Sequence, residues 1–349
     1  MAVDELTVPI LPATSYNYLS SYDLPQHFQD DPLLSLIAGN FEPDDNQVSN
    51  EGATLGRVLF YDKRLSRNNE IACASCHVQA EGFSDHRTKS VGIFDQETSR
   101  NSMGFQNLRF NNRMFWDHRV NGLENQVLLP IESPIEMDLP LPELISKLSQ
   151  TEFYAPLFED AFGDQEITSE RVSAAISQFI RSITSFNSKY DIGIANGFSD
   201  FTELENEGKD LFFSGDLKCN QCHSTQNFYS TQAMNNGLDL EYEDQGQFLA
   251  TGLESDKGEF RVPSLRNVEY TAPYMHDGRF ETLDDVLEHY STGVQQHPNL
   301  NDRITVEQET GGTPIHLNLT EQEKDALKAF LKTLSDPVLY SDERFSDPF

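Results

Sequence analysis

Apolar residues recur at helical spacing in several separate stretches of the chain. The two clearest stripes are Val172, Ala175, Ile176, Phe179, Ile180 and Ile183, and Leu327, Phe330, Leu331 and Leu334. Spacing of this kind lines one face of a helix with apolar side chains. Thr320 and Glu323 precede the second stripe three residues apart, which predicts a capping box at the start of that helix. The pattern predicts helices over 54–61, 141–150, 168–188, 201–213, 283–290 and 320–334.

The stretches between these helices lack a regular apolar repeat. Residues 1–50 are rich in Pro, Asp and Asn, which predicts an extended arm wrapped over the surface. Residues 78–140 and 230–270 contain many turn-forming residues, so we expect long loops there. Long loops in a compact protein are often functional.

The length of the chain and its lack of long apolar runs narrow the possible architectures. A chain of 349 residues can form two domains with sizeable cores. No run approaches the roughly 18 apolar residues of a membrane helix. We therefore expect a protein that does not span a membrane.

The chain is strongly acidic, with 57 Asp and Glu residues against 25 Lys and Arg and a formal net charge of -32. Such a charge argues against nucleic acid and anionic membranes as partners. Two interpretations remain. The charge is either a solvated acidic surface or a field that steers a cationic partner toward the protein.

All four cysteines of the chain lie in two copies of one pattern. The copies are Cys73-Ala74-Ser75-Cys76-His77 and Cys219-Asn220-Gln221-Cys222-His223. This is the attachment pattern of haem c, since two thiols three residues apart can add to the two vinyl groups of one haem. The adjacent histidine can then bind the iron. A redox disulfide or a zinc site could also use CxxC, but neither requires a histidine directly after it in both copies. We therefore expect two covalently bound haem c groups.

The positions of the two motifs suggest how the chain is divided. We expect an extended arm over 1–50, a first domain over 51–195 and a second domain over 196–349, with one haem in each domain. A helix, a haem motif, loops and a closing helix follow one another as in a cytochrome c domain. The predicted fold is thus mainly α, with two cytochrome c-like domains joined by long loops.

Several further motifs follow the first cysteine pair in a fixed order. They are Phe115-Trp116-Asp117, Leu123-Glu124-Asn125-Gln126, Pro134-Ile135-Glu136-Met137, Val262-Pro263-Ser264-Leu265-Arg266-Asn267 and Ala272-Pro273-Tyr274-Met275-His276-Asp277-Gly278-Arg279-Phe280. Together they resemble the bacterial di-haem cytochrome c peroxidase and MauG superfamily over about residues 50–335. The resemblance implies that the first haem, bound by His77, is the peroxide site. It also implies that the second haem, bound by His223, passes electrons to the first.

The resemblance implies roles for three residues spaced ten positions apart. Glu136 matches the acid-base group that moves a proton between the two oxygens of peroxide as their bond breaks. Gln126 matches the residue that positions peroxide by hydrogen bonding, and Trp116 matches the electron relay between the haems. Without the resemblance, Glu136 would be taken for a surface carboxylate and Trp116 for a core residue.

The resemblance also implies a calcium ion between the domains. Asn101 and the backbone carbonyls of Thr271 and Pro273 match its ligands, and oxygen ligands suit this hard cation. The alternative for Thr271 and Pro273 is an ordinary turn. Arg261, Arg266 and His276 are candidates either to neutralise haem propionates or to brace loops.

One departure from the typical peroxidases concerns the first iron. Many of these enzymes carry a histidine in the loop after the first haem motif, where it blocks the iron until the other haem is reduced. Residues 89–101 of this chain contain no histidine. We therefore expect an open, high-spin first iron that needs no reductive activation. His86 is the alternative ligand, although it lies early in the loop.

A second departure concerns the second iron. Typical peroxidases place a methionine ligand fourteen residues after the histidine that corresponds to His276, but this chain has Tyr290 there. The position matches the axial tyrosine of MauG-like proteins. A phenolate favours ferric and higher states of iron and lowers the reduction potential. Met275 and His289 are rival ligands, and a tyrosine that only packs on its helix is the other alternative.

Three classes of function remain open. A peroxidase would reduce hydrogen peroxide with electrons from a small c-type cytochrome or copper protein, and this is the function we expect. A MauG-like enzyme would use peroxide to oxidise side chains of a partner protein, whereas a pure electron-transfer cytochrome would do neither. Because haem c is normally attached outside the cytoplasm, we expect a periplasmic protein whose signal peptide has been removed.

Overall fold

The computed structural model describes residues 7–34 and 41–349, which fold mainly into helices. The helices are α1 (Gln26–Gln29), α2 (Asn50–Tyr61), α3 (Leu123–Gln126), α4 (Leu129–Glu132), α5 (Leu141–Ser149), α6 (Tyr154–Phe162), α7 (Ser169–Ser182), α8 (Lys189–Asn196), α9 (Glu203–Phe212), α10 (Cys219–Cys222), α11 (Phe248–Thr251), α12 (Leu283–Glu288) and α13 (Glu321–Lys332). A π-helical turn, His289–Gly293, follows α12 directly.

Strands and 3-10 helices complete the described structure. Strand β1 (Arg113–Met114) pairs antiparallel with β2 (Val120–Asn121), and β3 (Ala233–Met234) pairs antiparallel with β4 (Phe260–Arg261). The 3-10 helices are Leu19–Tyr22, Lys63–Leu65, Cys73–Ser75, Gln79–Glu81, Ile93–Asp95, Leu108–Phe110, Glu254–Asp256, Val268–Tyr270, Asp302–Ile304 and Glu343–Phe345. Few of these elements exceed one turn, so the regions predicted as long loops are largely irregular.

All six predicted helices are present, as α2, α5, α7, α9, α12 and α13. The capping box before α13 is confirmed, because the Glu323 carboxylate accepts the Thr320 N–H at 2.8 Å and the Thr320 hydroxyl accepts the Glu323 N–H at 3.3 Å. Helix α7 ends at Ser182, six residues before the predicted end. The backbone beyond it binds Asn107 instead, which donates its N–H to the Ile183 carbonyl at 3.0 Å.

Seven of these thirteen helices were not predicted from the sequence; five are four residues long, and the two longer ones are α6 and α8. Helix α6 turns Tyr154 and Phe158 inward but contains a proline, and α8 is eight residues long with a glycine in its second turn. Too few turns are available in either helix for an apolar period to stand out. Within the described ranges, no helix combines the length and the apolar character needed to cross a bilayer.

The first core forms where α2 packs against α7. Val58, Leu59, Ile176 and Phe179 are fully or almost fully buried there. The two helices touch at Gly56, where an added Cβ would lie 2.0 Å from the carbonyl oxygen of Ala175. Only a glycine permits this close approach of the two backbones.

The second core repeats this arrangement with α9 and α13. An added Cβ at Gly208 would lie 1.9 Å from the carbonyl oxygen of Ala326. Leu327, Phe330 and Leu334 are buried beside this contact. In each half, therefore, the helix that precedes a haem motif packs through a glycine on a later helix. This duplication fits two domains of one kind, and the predicted mainly α class is confirmed.

The two cores do not follow the sequence order strictly. Tyr190 of α8 already belongs to the second core, whereas Leu339 and Phe345 return to the first. The Phe345 carbonyl accepts a hydrogen bond from the Tyr61 hydroxyl at 2.6 Å. The domain division at 195 stays a prediction, and the last residues of the chain pack on the first half.

The described part of the N-terminal arm, residues 7–34 and 41–50, lies along both halves. The Tyr18 hydroxyl donates to the Arg344 carbonyl at 2.8 Å, and the ring of Phe28 packs against Phe110 and Phe186. Residues 1–6 and 35–40 of the predicted arm lie outside the described residues. The described arm is thus held by contacts with residues far along the chain.

Candidate functional site

The first cysteine motif presents a neutral, fixed histidine. The Nδ1–H of His77 donates to the Phe83 carbonyl at 2.9 Å, and the ring stacks on Phe105 with a centroid separation of 4.0 Å. Burial lowers the pKa of His77 to about 4, so the imidazole is uncharged near neutral pH. A histidine whose Nδ1–H is held by a carbonyl has Nε2 available to bind a metal.

The second motif repeats this geometry on α10. The Nδ1–H of His223 donates to the Phe228 carbonyl at 3.2 Å, and burial lowers the pKa of His223 to about 4. None of the four cysteines forms a disulfide. In residues 7–34 and 41–349, the only cluster of three or more potential metal-binding His, Cys, Asp or Glu groups is Glu81, Asp85 and His86, so no four-cysteine zinc site is formed.

A cavity of about 280 Å³ adjoins the second motif and is large and apolar enough to be part of a haem site. Cys219, Cys222 and His223 line it together with Met275 and Tyr290. Arg261 also lines this cavity, and its buried Nε–H has no hydrogen-bond partner. A buried guanidinium with a free N–H suits an acidic group such as a haem propionate. The residues therefore fit a haem attached through the second motif.

Tyr290 faces the second cysteine pair. It lies in the π-helical turn after α12, and burial raises its pKa to about 12, with smaller contributions from the thiols of Cys222 and Cys219. The nearby Asn236 side chain acts in the opposite direction and lowers that pKa. The structure thus places the predicted ligand in the cavity of the second motif.

The two rival ligands are placed differently. Met275 lines the same cavity, where its sulfur accepts a hydrogen bond from the Asn236 amide at 3.7 Å. His289 instead turns its Nε2 toward the Asn236 backbone carbonyl at 3.1 Å. Met275 therefore shares the cavity with Tyr290, whereas the Nε2 of His289 is bound to a backbone carbonyl.

Glu136 lies beside the first cysteine pair. It is half-buried, and its charge is one of the influences that raise the pKa values of Cys73 and Cys76. Burial raises the pKa of Glu136 itself, against smaller lowering effects from Ser133 and Arg119. Its backbone carbonyl accepts the Ile93 N–H at 2.8 Å, which fixes the chain there. The carboxyl group is thus prepared to hold a proton more tightly than an ordinary glutamate.

Gln126 is the last residue of α3 and is half-buried. Glu124 of the same turn binds Arg181 of α7 through both carboxylate oxygens, at 2.5 and 2.7 Å. This ion pair fixes α3 on the first core. Gln126 and Glu136 therefore belong to one short stretch, in which α4 and a turn join them.

Trp116 connects the two halves of the molecule. Its indole Nε1–H donates to the Asn101 carbonyl at 2.9 Å, and its own carbonyl accepts the Arg261 N–H at 2.7 Å. The ring lines the second cavity and packs with Leu238 and Phe260. Hydrogen bonds to Asn101 and Arg261 thus fix Trp116, the predicted relay, between the two halves.

The three predicted calcium ligands line this same cavity. The Asn101 N–H donates to the His276 carbonyl at 2.8 Å, so the first-half loop meets the loop that carries Thr271 and Pro273. The loop of Asn101 and the loop of Thr271 and Pro273 are thus in contact, and the calcium ion itself stays a prediction.

The side chains of His86 and Arg266 each bind a carboxylate. The His86 side chain is 66% exposed, and its Nδ1 is 2.9 Å from the Glu81 carboxylate. Arg266 is buried and binds both carboxylate oxygens of Asp191, at 2.8 and 2.9 Å. These bonds brace the loop of Arg266, and because Arg266 also lines the second cavity, its role toward a haem propionate stays a prediction.

A charge network beside Trp116 was not predicted. Arg100 binds Asp117 at 2.6 Å and binds Asp244 through both carboxylate oxygens, at 2.6 and 2.8 Å. Arg119 also binds Asp117, at 3.0 Å. Asp117 is adjacent to Trp116 in sequence, but nothing in the sequence pairs Arg100 with Asp244. The network ties the two halves together next to the indole.

The sequence of the chain is similar to those of di-haem peroxidases and MauG proteins. Residues 50–197 match the sequence profile of the family described as di-haem cytochrome c peroxidase. The methylamine utilization protein MauG of Methylorubrum extorquens is 33% identical over 294 residues, which cover 84% of this chain and 80% of that protein. The cytochrome c551 peroxidase of Nitrosomonas europaea is 32% identical over 288 residues, with 81% and 79% covered.

A solved structure resembles the whole fold. It is that of a MauG-like protein associated with microbial copper homeostasis, which is 36% identical and superposes with a TM-score of 0.81. The match covers 94% of this chain and 99% of the other.

Proposed function

Because the chain belongs to the di-haem cytochrome c peroxidase family, which includes the MauG proteins, we propose that it reduces hydrogen peroxide at the haem of its first motif. Electrons reach that haem from the second one. Cys73, Cys76 and His77 hold the first haem, and Cys219, Cys222, His223 and Tyr290 hold the second. Each bound haem supplies an iron that exchanges electrons, and the first one also binds peroxide.

The observation that carries this proposal is the position of Glu136. Its half-buried carboxyl group lies beside the first cysteine pair, and burial raises its pKa. A carboxylate with a raised pKa is a stronger base than an exposed one. Glu136 therefore takes the proton from one oxygen of peroxide and gives it to the other, while the Gln126 amide orients the substrate.

Trp116 supplies the connection between the two sites. An indole is large, polarizable and oxidizable, and this one is fixed by hydrogen bonds to both halves. Its Nε1–H donates to a carbonyl, which cannot take the proton away. Trp116 can thus lose an electron and regain it with its proton in place.

The presence of Tyr290 in the second cavity favours a second candidate function. An anionic oxygen ligand lowers the potential of a haem, so the second haem gives up electrons readily to an oxidised first haem. A MauG-like enzyme would use this property to oxidise side chains of a partner protein through Trp116. The relative associated with copper homeostasis makes a copper-handling protein one candidate partner or donor.

Three further features belong to the proposal. Asn101 and the carbonyls of Thr271 and Pro273 would hold a calcium ion between the two halves of the molecule, since oxygen ligands suit this ion. The net charge of -32 supports a cationic electron donor, such as a small c-type cytochrome. Attachment of haem c outside the cytoplasm supports a periplasmic location.

A pure electron-transfer cytochrome is the least favoured alternative. It would give no role to a half-buried glutamate beside the first motif, and the loop 89–101 offers no histidine to close the first iron. The placement of Glu136 is therefore what separates an enzyme from an electron carrier.

The test is steady-state oxidation of a reduced small cytochrome c by peroxide. Replacing Glu136→Gln should lower kcat by about 10²–10⁴-fold, the usual contribution of acid-base catalysis. Glu132→Gln, an exposed glutamate of α4, is the matched control and should leave kcat unchanged. Equal rates in wild type and the Glu136 variant would contradict the proposal. Peroxide-driven oxygen addition to a partner protein, seen by mass spectrometry without cytochrome turnover, would favour the MauG-like function.

A further inference from the structure

A turn shortly after the first haem motif brings three potential metal ligands together. Glu81 ends the 3-10 helix Gln79–Glu81, and Asp85 and His86 follow it in the same turn. One donor atom from each of the three side chains lies within 4.8 Å of the other two. Two ligand atoms that are each about 2.1 Å from one ion are separated by up to roughly 4.2 Å. The three groups therefore need only a small movement to share an ion.

The imidazole of His86 already faces both acidic side chains. Its Nδ1 is 2.9 and 3.0 Å from the two carboxylate oxygens of Glu81, and its backbone N–H donates to the same carboxylate at 2.9 Å. Oδ1 of Asp85 is 3.7 Å from that ring nitrogen. A cation bound to Nδ1 in place of a proton is thus within reach of oxygen atoms from both acids.

The carboxylate of Asp85 is left incomplete by the hydrogen bonds of this turn. Asp85 is 1% exposed, and in the part of the chain that the structure describes its Oδ2 has no hydrogen-bond partner. Oδ1 accepts the Arg87 N–H at 2.9 Å, whereas Nη1 of Arg87 is 4.0 Å from Oδ2, beyond hydrogen-bonding distance. Buried polar atoms are normally paired, and a carboxylate can bind a cation through one oxygen or both. A cation in the cluster supplies the missing partner.

An ion pair between a protonated His86 and the two acids accounts for only part of this geometry. It explains the short distance from Nδ1 to Glu81, but it leaves Oδ2 of Asp85 buried and unpaired, which is costly. A divalent cation accounts for both observations, because two carboxylates balance its charge. The side chains of His86 and Glu81 are 66% and 31% exposed, so water can reach the ion and complete its coordination.

The types of ligand identify the class of ion. One imidazole nitrogen with carboxylate oxygens and water suits zinc and the neighbouring first-row metals, whereas calcium takes oxygen ligands alone. We propose that Glu81, Asp85 and His86 form a binding site for a divalent transition-metal ion such as zinc. The site shares no ligand with the predicted calcium site, and it does not depend on which reaction the haems carry out.

The position of the site gives the ion a structural role. Phe83 lies between two of the ligands in sequence, and its carbonyl accepts the Nδ1–H of His77 at 2.9 Å. The Ser84 hydroxyl donates to the Glu81 carbonyl at 2.7 Å, within the same turn. An ion bound to Glu81 and Asp85 therefore stiffens the turn that orients His77. Because only the folded turn brings the ligands together, zinc should also raise the midpoint of thermal unfolding.

The experiment is a calorimetric titration of the full protein, with both haems attached, with zinc chloride. Bound metals are first removed with a chelator, and excess calcium chloride is then added to fill any calcium site. Wild type should bind one zinc ion per chain at its tightest site. His86→Ala should weaken this binding at least about tenfold, since even the loss of outer-shell partners costs about 10–100-fold. Asp85→Asn, which keeps an acceptor for the Arg87 N–H, should weaken it as well.

His316→Ala is the matched control. His316 is also exposed but lies outside the cluster, so this variant should bind zinc as wild type does. His86 is exposed too, and its replacement leaves the core intact, so the test stands even if the Asp85 variant fails to fold. Circular dichroism and haem content identify such a failure.

Anomalous scattering at the zinc edge, from crystals of the same protein, locates the ion. It should lie about 2.0–2.2 Å from Nδ1 of His86 and from an oxygen of each acid. Absence of stoichiometric zinc binding would overturn the proposal and leave the cluster as an ion pair. Equal affinity in wild type and the His86 variant, or an ion located elsewhere, would also overturn it. An ion held without Asp85 would refute the role given to the buried carboxylate.

Discussion

At the scale of single residues, burial sets the protonation of the two groups on which the proposed chemistry depends. Burial raises the pKa of Glu136, so its carboxylate binds a proton more readily than an exposed one would. Burial also raises the pKa of Tyr290 to about 12. Such a phenol keeps its proton until a positive charge is placed beside it. Burial thus makes Glu136 a stronger base, and it keeps Tyr290 protonated unless a cation such as a haem iron is beside it.

The raised pKa of Glu136 predicts the pH dependence of the enzyme. Because the group must start unprotonated to accept a proton, kcat/KM for peroxide should fall as the pH drops through its pKa. This acid limb should lie above the usual glutamate pKa of about 4.3. Arg119 lowers the pKa of Glu136, so Arg119→Gln should move the limb to still higher pH.

The measurement is a pH profile of kcat/KM for wild type and the Arg119 variant. Arg113→Gln removes an exposed arginine of the neighbouring strand and serves as the control, with no shift expected. If the acid limb stays at the same pH in the Arg119 variant, the limb does not report the titration of Glu136.

At the scale of elements, one helix contact occurs twice. Gly56 of α2 touches Ala175 of α7, and Gly208 of α9 touches Ala326 of α13. Each contact brings a helix that precedes a haem motif onto the core of its half. The positions of both cysteine motifs therefore depend on a site where no side chain fits.

Gly56→Ala and Gly208→Ala should each destabilise the protein, because overpacking of a core typically costs about 1–3 kcal/mol. The first variant should broaden the spectrum of the first haem and the second that of the other haem. Chemical unfolding of the haem-loaded protein measures the loss. Gly215→Ala is the control, since an added Cβ there has no heavy atom within 4 Å. Equal stability of all three variants would show that the helices can move apart without cost.

The sequence predicted those elements whose signal is local. The stripe of α7 and the capping box of Thr320 and Glu323 lie within a few turns, and Tyr290 is found by its distance from a motif. Gly56 and Gly208 gave no such signal, because a glycine inside a helix usually indicates a less stable helix and does not by itself indicate a contact between two helices. The short helices α6 and α8 were missed for want of a visible period.

At the scale of the whole molecule, the seam between the halves is built from partners far apart in sequence. Arg100 joins Asp117 and Asp244, and Trp116 is held by Asn101 and Arg261. No local pattern pairs Arg100 with a residue 144 positions away. The family resemblance supplied Trp116 and Asn101, whereas the ion pairs around them required the structure.

The net charge of -32 predicts how donors reach the enzyme. Oxidation of a basic cytochrome at limiting concentration should slow as salt is added, because the Debye length shrinks to about 8 Å at 0.15 M. An acidic cytochrome should show no loss or a gain. A small neutral reductant is the control. If the rate with the basic donor does not depend on ionic strength, the acidic residues form only a solvated surface and do not steer the donor.

Leu339 and Phe345 lie in the first core, and the Pro348 carbonyl accepts the Ile10 N–H at 2.6 Å. The first core therefore includes residues that follow Leu334, the last residue of the second core. Domains otherwise tend to fold in the order of their synthesis, but here the ribosome has added every residue of the second core before the first core can be complete.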